Sequence, residues 1–192
     1  NITYKYLHQK NIIVYNRDAK DRPELVGAFV KPPIVGKHKW VVSFDLNSLY
    51  PNLIIQYNMS PETIINKVES NYNTEDLLDK KILNNSDDVI AANGVHFSKN
   101  KKGFIPTLVQ DLYDERVKIK KEMISLKKSK DKKHDLKISQ LESQQMAIKI
   151  LMNSLYGAMG NIGFRYFDYR IASAITLGGQ LAIKWAEKTI NQ

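Results

Sequence analysis

An α+β fold is predicted, with a small antiparallel sheet and packed helices joined to a long helical hairpin. Three observations predict it. Trp40–Leu46 (Trp-Val-Val-Ser-Phe-Asp-Leu) is β-branched and aromatic, as in a buried strand. Apolar residues recur at helical spacing from Pro106 to Leu155. A polar run, Lys127–Asp135, divides that stretch into two arms.

In chain order, Pro23, Pro32 and Pro33 punctuate residues 1–38, which predicts loop with short strands such as Lys10–Tyr15. After the Trp40–Leu46 strand, a turn at Tyr50-Pro51 opens a helix to Tyr57, with Pro51 at its first position. Ser60-Pro61-Glu62 starts another turn. Asn66–Asp88, rich in Asn, Asp and Ser, reads as a surface insertion with one short helix near Glu75–Asn84. Gly94–Lys102 reads as a hairpin, with Val95-His96-Phe97 as strand and Asn100–Gly103 as turn. Leu108, Leu112, Val117, Ile119, Met123, Ile124 and Leu126 stripe one helix, and Leu136, Ile138, Leu141, Met146, Ile148, Ile150, Leu151 and Leu155 stripe the next, with Asp135 as its N-cap. Gly160–Tyr169 is an aromatic loop or strand pair, and Arg170–Asn191 is a final helix.

Composition narrows the function. With no cysteine, a disulfide framework and thiolate metal sites are excluded. No apolar run approaches the roughly 20 residues of a membrane span, and no basic-then-apolar leader is present. Because the chain opens on Asn1 and closes inside an amphipathic pattern at Leu181–Gln192, it is expected to be a piece of a larger protein. Net charge is +9, and 14 Lys/Arg against 7 Asp/Glu fall between Lys99 and Lys149, so a polyanion partner or a solvated lysine-rich surface is indicated.

Three constellations can carry chemistry. Asp45 stands at the end of the predicted strand, where a carboxylate can take a hard cation such as Mg2+ together with substrate phosphates. Amides from Asn47 to Tyr50 then open a helix, an anion-binding position. On the first hairpin arm Tyr113, Arg116 and Lys120 stand at i, i+3 and i+7. On the second, Lys149, Asn153 and Tyr156 stand at i, i+4 and i+7, with Gly157 and Gly160 removing bulk where the stripe ends. A cation, an amide and a ring in a row can meet a phosphate, a sugar edge and a base. Taken singly, each of these residues is as readily a cap, a solvated cation or a core ring.

Other candidates are poorer. His8, His38, His96 and His134 lack ligand spacing, and Ser48 and Ser154 have no nearby histidine. Asp111, Asp114 and Glu115 read as first-turn helix acids, and Asp87-Asp88 as solvated. Gly27, Gly36 and Gly178-Gly179 match no phosphate-loop pattern.

Asp45-Leu46-Asn47-Ser48-Leu49-Tyr50-Pro51-Asn52 resembles motif A of family B DNA polymerases, Asp-x-x-Ser-Leu-Tyr-Pro-Ser, with Asn52 in place of the final Ser. Lys149 through Gly157 resembles their motif B, Lys-x-x-x-Asn-Ser-x-Tyr-Gly. With Gly27-Ala28-Phe29-Val30-Lys31, Ile105-Pro106-Thr107 and Phe164-Arg165-Tyr166-Phe167-Asp168, the chain is similar to the replicative polymerases of T-even-like bacteriophages over about residues 25–192. The resemblance implies that Asp45 and the Leu46 carbonyl bind Mg2+, two ions in the full-length enzyme. It implies that the Ser48 and Leu49 amides hold triphosphate oxygens and that Tyr50 packs under the deoxyribose to exclude a 2′-hydroxyl. Arg116, Lys120 and Lys149 would grip the triphosphate with Asn153 beside them, and Tyr156 and Gly157 would line the nascent base pair.

It further implies an incomplete palm at 39–104 and 162–192, fingers at 105–161, and a linker from an upstream domain at 1–38. The implied partners are primer-template DNA, deoxynucleoside triphosphates and a sliding clamp reached through a C-terminal region outside this chain. No membrane partner is implied, and the location is cytoplasmic, that of the host if phage-encoded. Motif C, Tyr-Gly-Asp-Thr-Asp-Ser, does not occur here, so this chain alone is expected to be inactive. A non-catalytic nucleic-acid-binding module and a coiled-coil interaction protein are the competing classes. The first predicts salt-sensitive DNA binding without nucleotide dependence, the second no nucleotide contacts at Arg116 or Lys149.

Overall fold

The computed structural model describes residues 2–13, 25, 27–68, 74–79, 87–129 and 132–190. Among these residues six α-helices and three strands follow in the order α1 (Ile2–Gln9), α2 (Leu49–Gln56), β1 (Ile64–Val68), α3 (Thr74–Leu78), β2 (Val89–Ile90), β3 (Val95–Phe97), α4 (Phe104–Ser129), α5 (Asp135–Met159) and α6 (Tyr169–Ile190). The predicted α+β class is borne out: a three-stranded antiparallel sheet, ordered β1-β3-β2, packs with helices around one core. Ile54 and Met59 from the α2 end, Phe97 from β3, Ile105 and Val109 from α4, Leu155 and Met159 from α5, and Ile171 and Ile175 from α6 fill it. Among the described residues no helix is long and apolar enough to cross a membrane.

One residue ties the end of α2 to the start of α4. Asn58, in the left-handed region at φ 52°, donates through its side-chain amide to the carbonyls of Ser98 (2.7 Å) and Lys101 (2.9 Å) and accepts from Gly103 N–H (2.8 Å). Asn is among the few non-glycine residue types that take that backbone readily. Gly103 must lack a side chain, since a Cβ there would stand 2.4 Å from Ser60 Cβ. The next amide, Phe104 N–H, donates to the Glu62 carboxylate, and α4 begins.

The hairpin arms pair along a narrow seam. Along it α4 buries Leu108, Val109 and Met123, and α5 buries Leu141, Gln145, Met152, Leu155 and Met159. Ion pairs Lys127–Glu142 (3.9 Å) and Lys137–Glu122 (3.6 Å) flank it with side chains about half exposed, so each contributes at most about 1 kcal/mol. Ile124, Leu136, Met146 and Ile150 remain exposed on the arms.

Several expectations are corrected. Trp40–Leu46 is no buried strand: residues 41–46 run as irregular chain outside the sheet, with Trp40 98%, Val41 78% and Phe44 71% exposed. A strand draws its backbone hydrogen bonds from neighbours, and no described strand lies beside this segment. The expected Lys10–Tyr15 strand fails over 10–13, which are turn and irregular chain, and 14–15 lie outside the described residues. Before it Thr3 and Leu7, at i and i+4, bury one face of α1 instead. The hairpin around Val95–Phe97 turns at 91–94, pairing β2 with β3, rather than at Asn100–Gly103. The insertion helix spans Thr74–Leu78, and 80–84 of the expected range lie outside the described residues. Pro51 is the third residue of α2, still within the first turn that tolerates it, and Asp135 is the first residue of α5 with His134 as its cap. Since α4 begins at Phe104, Asp111, Asp114 and Glu115 fall beyond its first turn, where they are not adding to the helix N-terminus.

Candidate nucleotide-binding site

The α5 stripe stands as its spacing requires. Lys149 and Asn153 are exposed and Tyr156 is half-buried, on the flank of the buried Gln145, Met152, Leu155 and Met159. Across the seam, Arg116 Nε donates to Gln145 Oε1 at 3.3 Å, one helical turn before Lys149. Lys120 lies a turn beyond Arg116 on the same face of α4 as Lys127, and Glu142 precedes Lys149 by two turns. The Lys127–Glu142 pair therefore marks the edge shared by Arg116, Lys120, Lys149, Asn153 and Tyr156, while Lys137–Glu122 marks the opposite edge. By helical spacing the three cations lie along one side of the hairpin.

At the root of that edge Tyr156 meets Tyr50. Their ring centroids are 4.4 Å apart with an interplanar angle of 34°, so the 45–52 and 149–157 stretches are joined in space. Burial first, then the neighbouring Tyr50 phenol, pushes the Tyr156 hydroxyl up to about 12. Tyr50 also rests on α6: a Cβ at Gly179 would lie 2.7 Å from Tyr50 Cε1. Gly157, by contrast, has no neighbour within 4 Å of where its Cβ would stand, which leaves the α5 surface flat and open there.

The α2 N-terminus starts beside these rings. Ser48 takes the left-handed conformation at φ 53°, and its hydroxyl donates to Asn47 Oδ1 (3.2 Å). The Asn52 side chain donates to the Asn47 carbonyl (2.9 Å), so the residue that departs from the motif A pattern braces the turn. The first intrahelical bond runs from Asn52 N–H to Ser48 C=O (3.0 Å); the amides of Leu49 and Tyr50 precede it and belong to the donors that a helix start leaves for other partners.

Asp45 and Leu46 are exposed on the irregular segment three and two residues before Ser48. Their carboxylate and carbonyl are hard oxygen donors, the type Mg2+ selects, and one carboxylate plus substrate phosphates is a usual set for that ion. Among the described residues no group of three or more His, Asp or Glu gathers into a metal cluster, so the chain fits part of a metal shell rather than a complete two-ion site.

Sequence reasoning missed three positions. Gly179 matches no phosphate-loop pattern, and an aromatic seat on a helix leaves no signature in the sequence. Buried Asp168 accepts from Arg170 N–H (3.0 Å), Nε (3.1 Å) and a terminal guanidinium nitrogen (2.8 Å) at the start of α6, a local Asp-x-Arg pattern legible in the sequence. Those bonds hold the Arg170 guanidinium above its usual range. The third is an α6 face made of Gln180, Lys184 and Glu187. Gln180 donates to the Gly27 carbonyl (2.7 Å), Lys184 lies over the Phe29 ring (5.5 Å), and Glu187 pairs with Lys31. The Gly27–Lys31 stretch is thus laid along α6.

Comparison with known proteins gives the family and the fold. The model of DNA polymerase family B matches residues 3–192. The chain is similar to the DNA-directed DNA polymerase of Escherichia phage RB69, at 30% identity over 240 aligned positions covering all of this chain and 26% of that protein. It is also similar to that of Enterobacteria phage T4 (29%, all of this chain, 26% of that protein) and to DNA polymerase 1 of Pyrococcus abyssi (35%, 86% of this chain, 18% of that protein). The chain thus spans about a quarter of the length of the phage relatives. Its fold superposes on a family B DNA polymerase from Pyrobaculum calidifontis with a TM-score of 0.72 at 24% identity, over 99% of this chain and 23% of that one. By the match along its length, the chain belongs to DNA polymerase family B.

Proposed function

We propose that this chain is the nucleotide-selecting part of a DNA-directed DNA polymerase. Residues 39–104 and 162–192 act as palm, 105–161 as fingers and 1–38 as the connection to an upstream domain. The observation that carries the reading is the Tyr50–Tyr156 contact, which sets the α2 N-terminus against the cationic edge of the hairpin. In this reading Arg116, Lys120 and Lys149 bind the triphosphate with Asn153 beside it, and the Ser48 and Leu49 amides take its inner oxygens. Tyr50 packs under the sugar, and Tyr156 with the open surface at Gly157 lines the nascent base pair.

The reaction is attack of a primer 3′-hydroxyl oxygen on the α-phosphorus, forming a new P–O bond as the bond to the β-phosphate breaks and pyrophosphate leaves. Asp45 and the Leu46 carbonyl would hold Mg2+, which supplies charge neutralisation at the phosphates; the carboxylates that complete a two-ion site belong to other parts of the polymerase. This chain's own residues orient the triphosphate and hold its negative charge, a contribution of position and electrostatics. The hairpin swings toward the palm on the correct nucleotide, completing the cationic grip.

Primer extension by the full-length polymerase that carries this segment tests the reading. Asp45→Asn should abolish incorporation, and Lys149→Ala should chiefly raise the KM for nucleotide. Parental kinetics in both variants would refute it.

A further inference from the structure

Two adjacent glycines in the middle of α6 meet different neighbours. A Cβ at Gly178 would lie 3.5 Å from Leu53 Cδ1 and 3.7 Å from Leu53 Cδ2, which is ordinary contact. At Gly179 it would lie 2.7 Å from Tyr50 Cε1, 3.5 Å from Tyr50 Cδ1 and 3.6 Å from Leu49 Cδ2. Both glycines are buried on the same helix, so both carry the same helix-propensity penalty of about 1 kcal/mol relative to Ala. Only the second has a close approach to an aromatic ring that would be lost by adding a methyl.

The ring in question has little freedom elsewhere. Tyr156 stacks against it at 4.4 Å, and α2 carries it in its first turn, where Pro51 is buried directly after it. A methyl at Gly179 would therefore drive Tyr50 off α6 by roughly 1 Å to regain van der Waals separation. Resting on the reading above, in which Tyr50 packs under the nucleotide sugar, we propose that Gly179 is a positioning residue for sugar selection: it fixes the height of the Tyr50 ring and hence how strictly a 2′-hydroxyl is refused. Discrimination of one hydroxyl by packing is a sub-ångström fit, so a displacement of that size moves it.

The test compares deoxyribonucleotide with ribonucleotide incorporation, each as kcat/KM, in the full-length polymerase carrying this segment. Gly179→Ala should lower the preference for deoxyribonucleotides by about 10-fold, mainly through a raised KM for the deoxynucleotide. Gly178→Ala should stay within about twofold of the parent, as a variant that adds the same methyl to the same helix without touching the ring. A merely structural loss would depress both substrates together and leave their ratio unchanged. Adding Gly179→Ala to Tyr50→Ala should change the ratio no further, and should not lower Tm as the single variant does, because the clashing ring is gone. That Tm comparison holds even if Gly179→Ala folds poorly. The proposal is overturned if Tyr50→Ala relaxes selection while Gly179→Ala does not. It is equally overturned if Gly179→Ala has the same effect with and without the Tyr50 ring. Should Tyr50→Ala itself leave selection intact, the fault lies in the sugar-packing reading underneath.

Discussion

Helix α5 and the segment 40–46 each bring candidate residues to the same site, and they do so in contrasting physical states. α5 closes its backbone hydrogen bonds within itself, so Lys149, Asn153 and Tyr156 hold one stripe whether or not anything covers their outer side. The segment before Ser48 delivers Asp45 from chain whose Trp40, Val41, Val42 and Phe44 are uncovered. An apolar run of that kind becomes a strand only through lateral partners and a covered face. The α5 stripe is therefore self-supporting, whereas the position of Asp45 depends on the structure around it.

The contrast can be broken or sharpened by experiment. The largest effect is expected at Asp45. In the full-length polymerase Asp45→Asn should lower the incorporation rate by at least about 10³-fold, against about 10- to 100-fold in kcat/KM for Lys149→Ala. Single-turnover extension separates the two, and comparable small losses in both would erase the distinction.

Packing gives the next test. On the seam of α5, Met152→Ala should cost about 2–5 kcal/mol of stability in urea unfolding of the 192-residue chain, since its side chain is buried. Val42→Ala should cost no more than about 0.5 kcal/mol. An equal cost for Val42 would mean that the segment is covered after all.

A pH dependence follows from the Tyr pair. The native state keeps the Tyr156 proton up to about 12, whereas the unfolded chain releases it near the ordinary value of 10.0. The native state then binds more protons between those values, so this group's contribution is intact below pH 10 and is lost as pH rises from there toward 12. Tyr156→Phe should flatten that part of the stability profile, and an unchanged alkaline slope would mean that Tyr156 is not the group that carries it.

The smallest effect belongs to the far edge of the hairpin, where Lys137→Ala should change stability by less than about 1 kcal/mol, and by less still in high salt.

These same contrasts explain what could be read from residues alone. Both hairpin arms, α6 and the i, i+4, i+7 stripe were legible because helical periodicity encodes a face locally. The Trp40–Leu46 segment was misread because its composition reports the need for a strand environment rather than the presence of one. The Val95–Phe97 hairpin was given the wrong turn because β2 is only two residues long and offers no alternation to read. Gly179 and Asn58 act through close approaches between elements distant in sequence, which no local pattern announces.

The anchoring of α4 by Asn58 and Gly103 constrains how the hairpin can travel. Its lowest turns, Ile105 to Val109 and Leu155 to Met159, are embedded in the core, so rigid rotation about the loop ends would tear packed layers apart. Leu112 and Leu151 stand one turn above that packing and, with Leu108 and Leu155 of the packed turns, border a cleft of about 150 Å³. The closing stroke proposed above would then have to bend both arms from that level upward, like a sprung tweezer, carrying the three cations inward while Tyr156 stays seated on Tyr50.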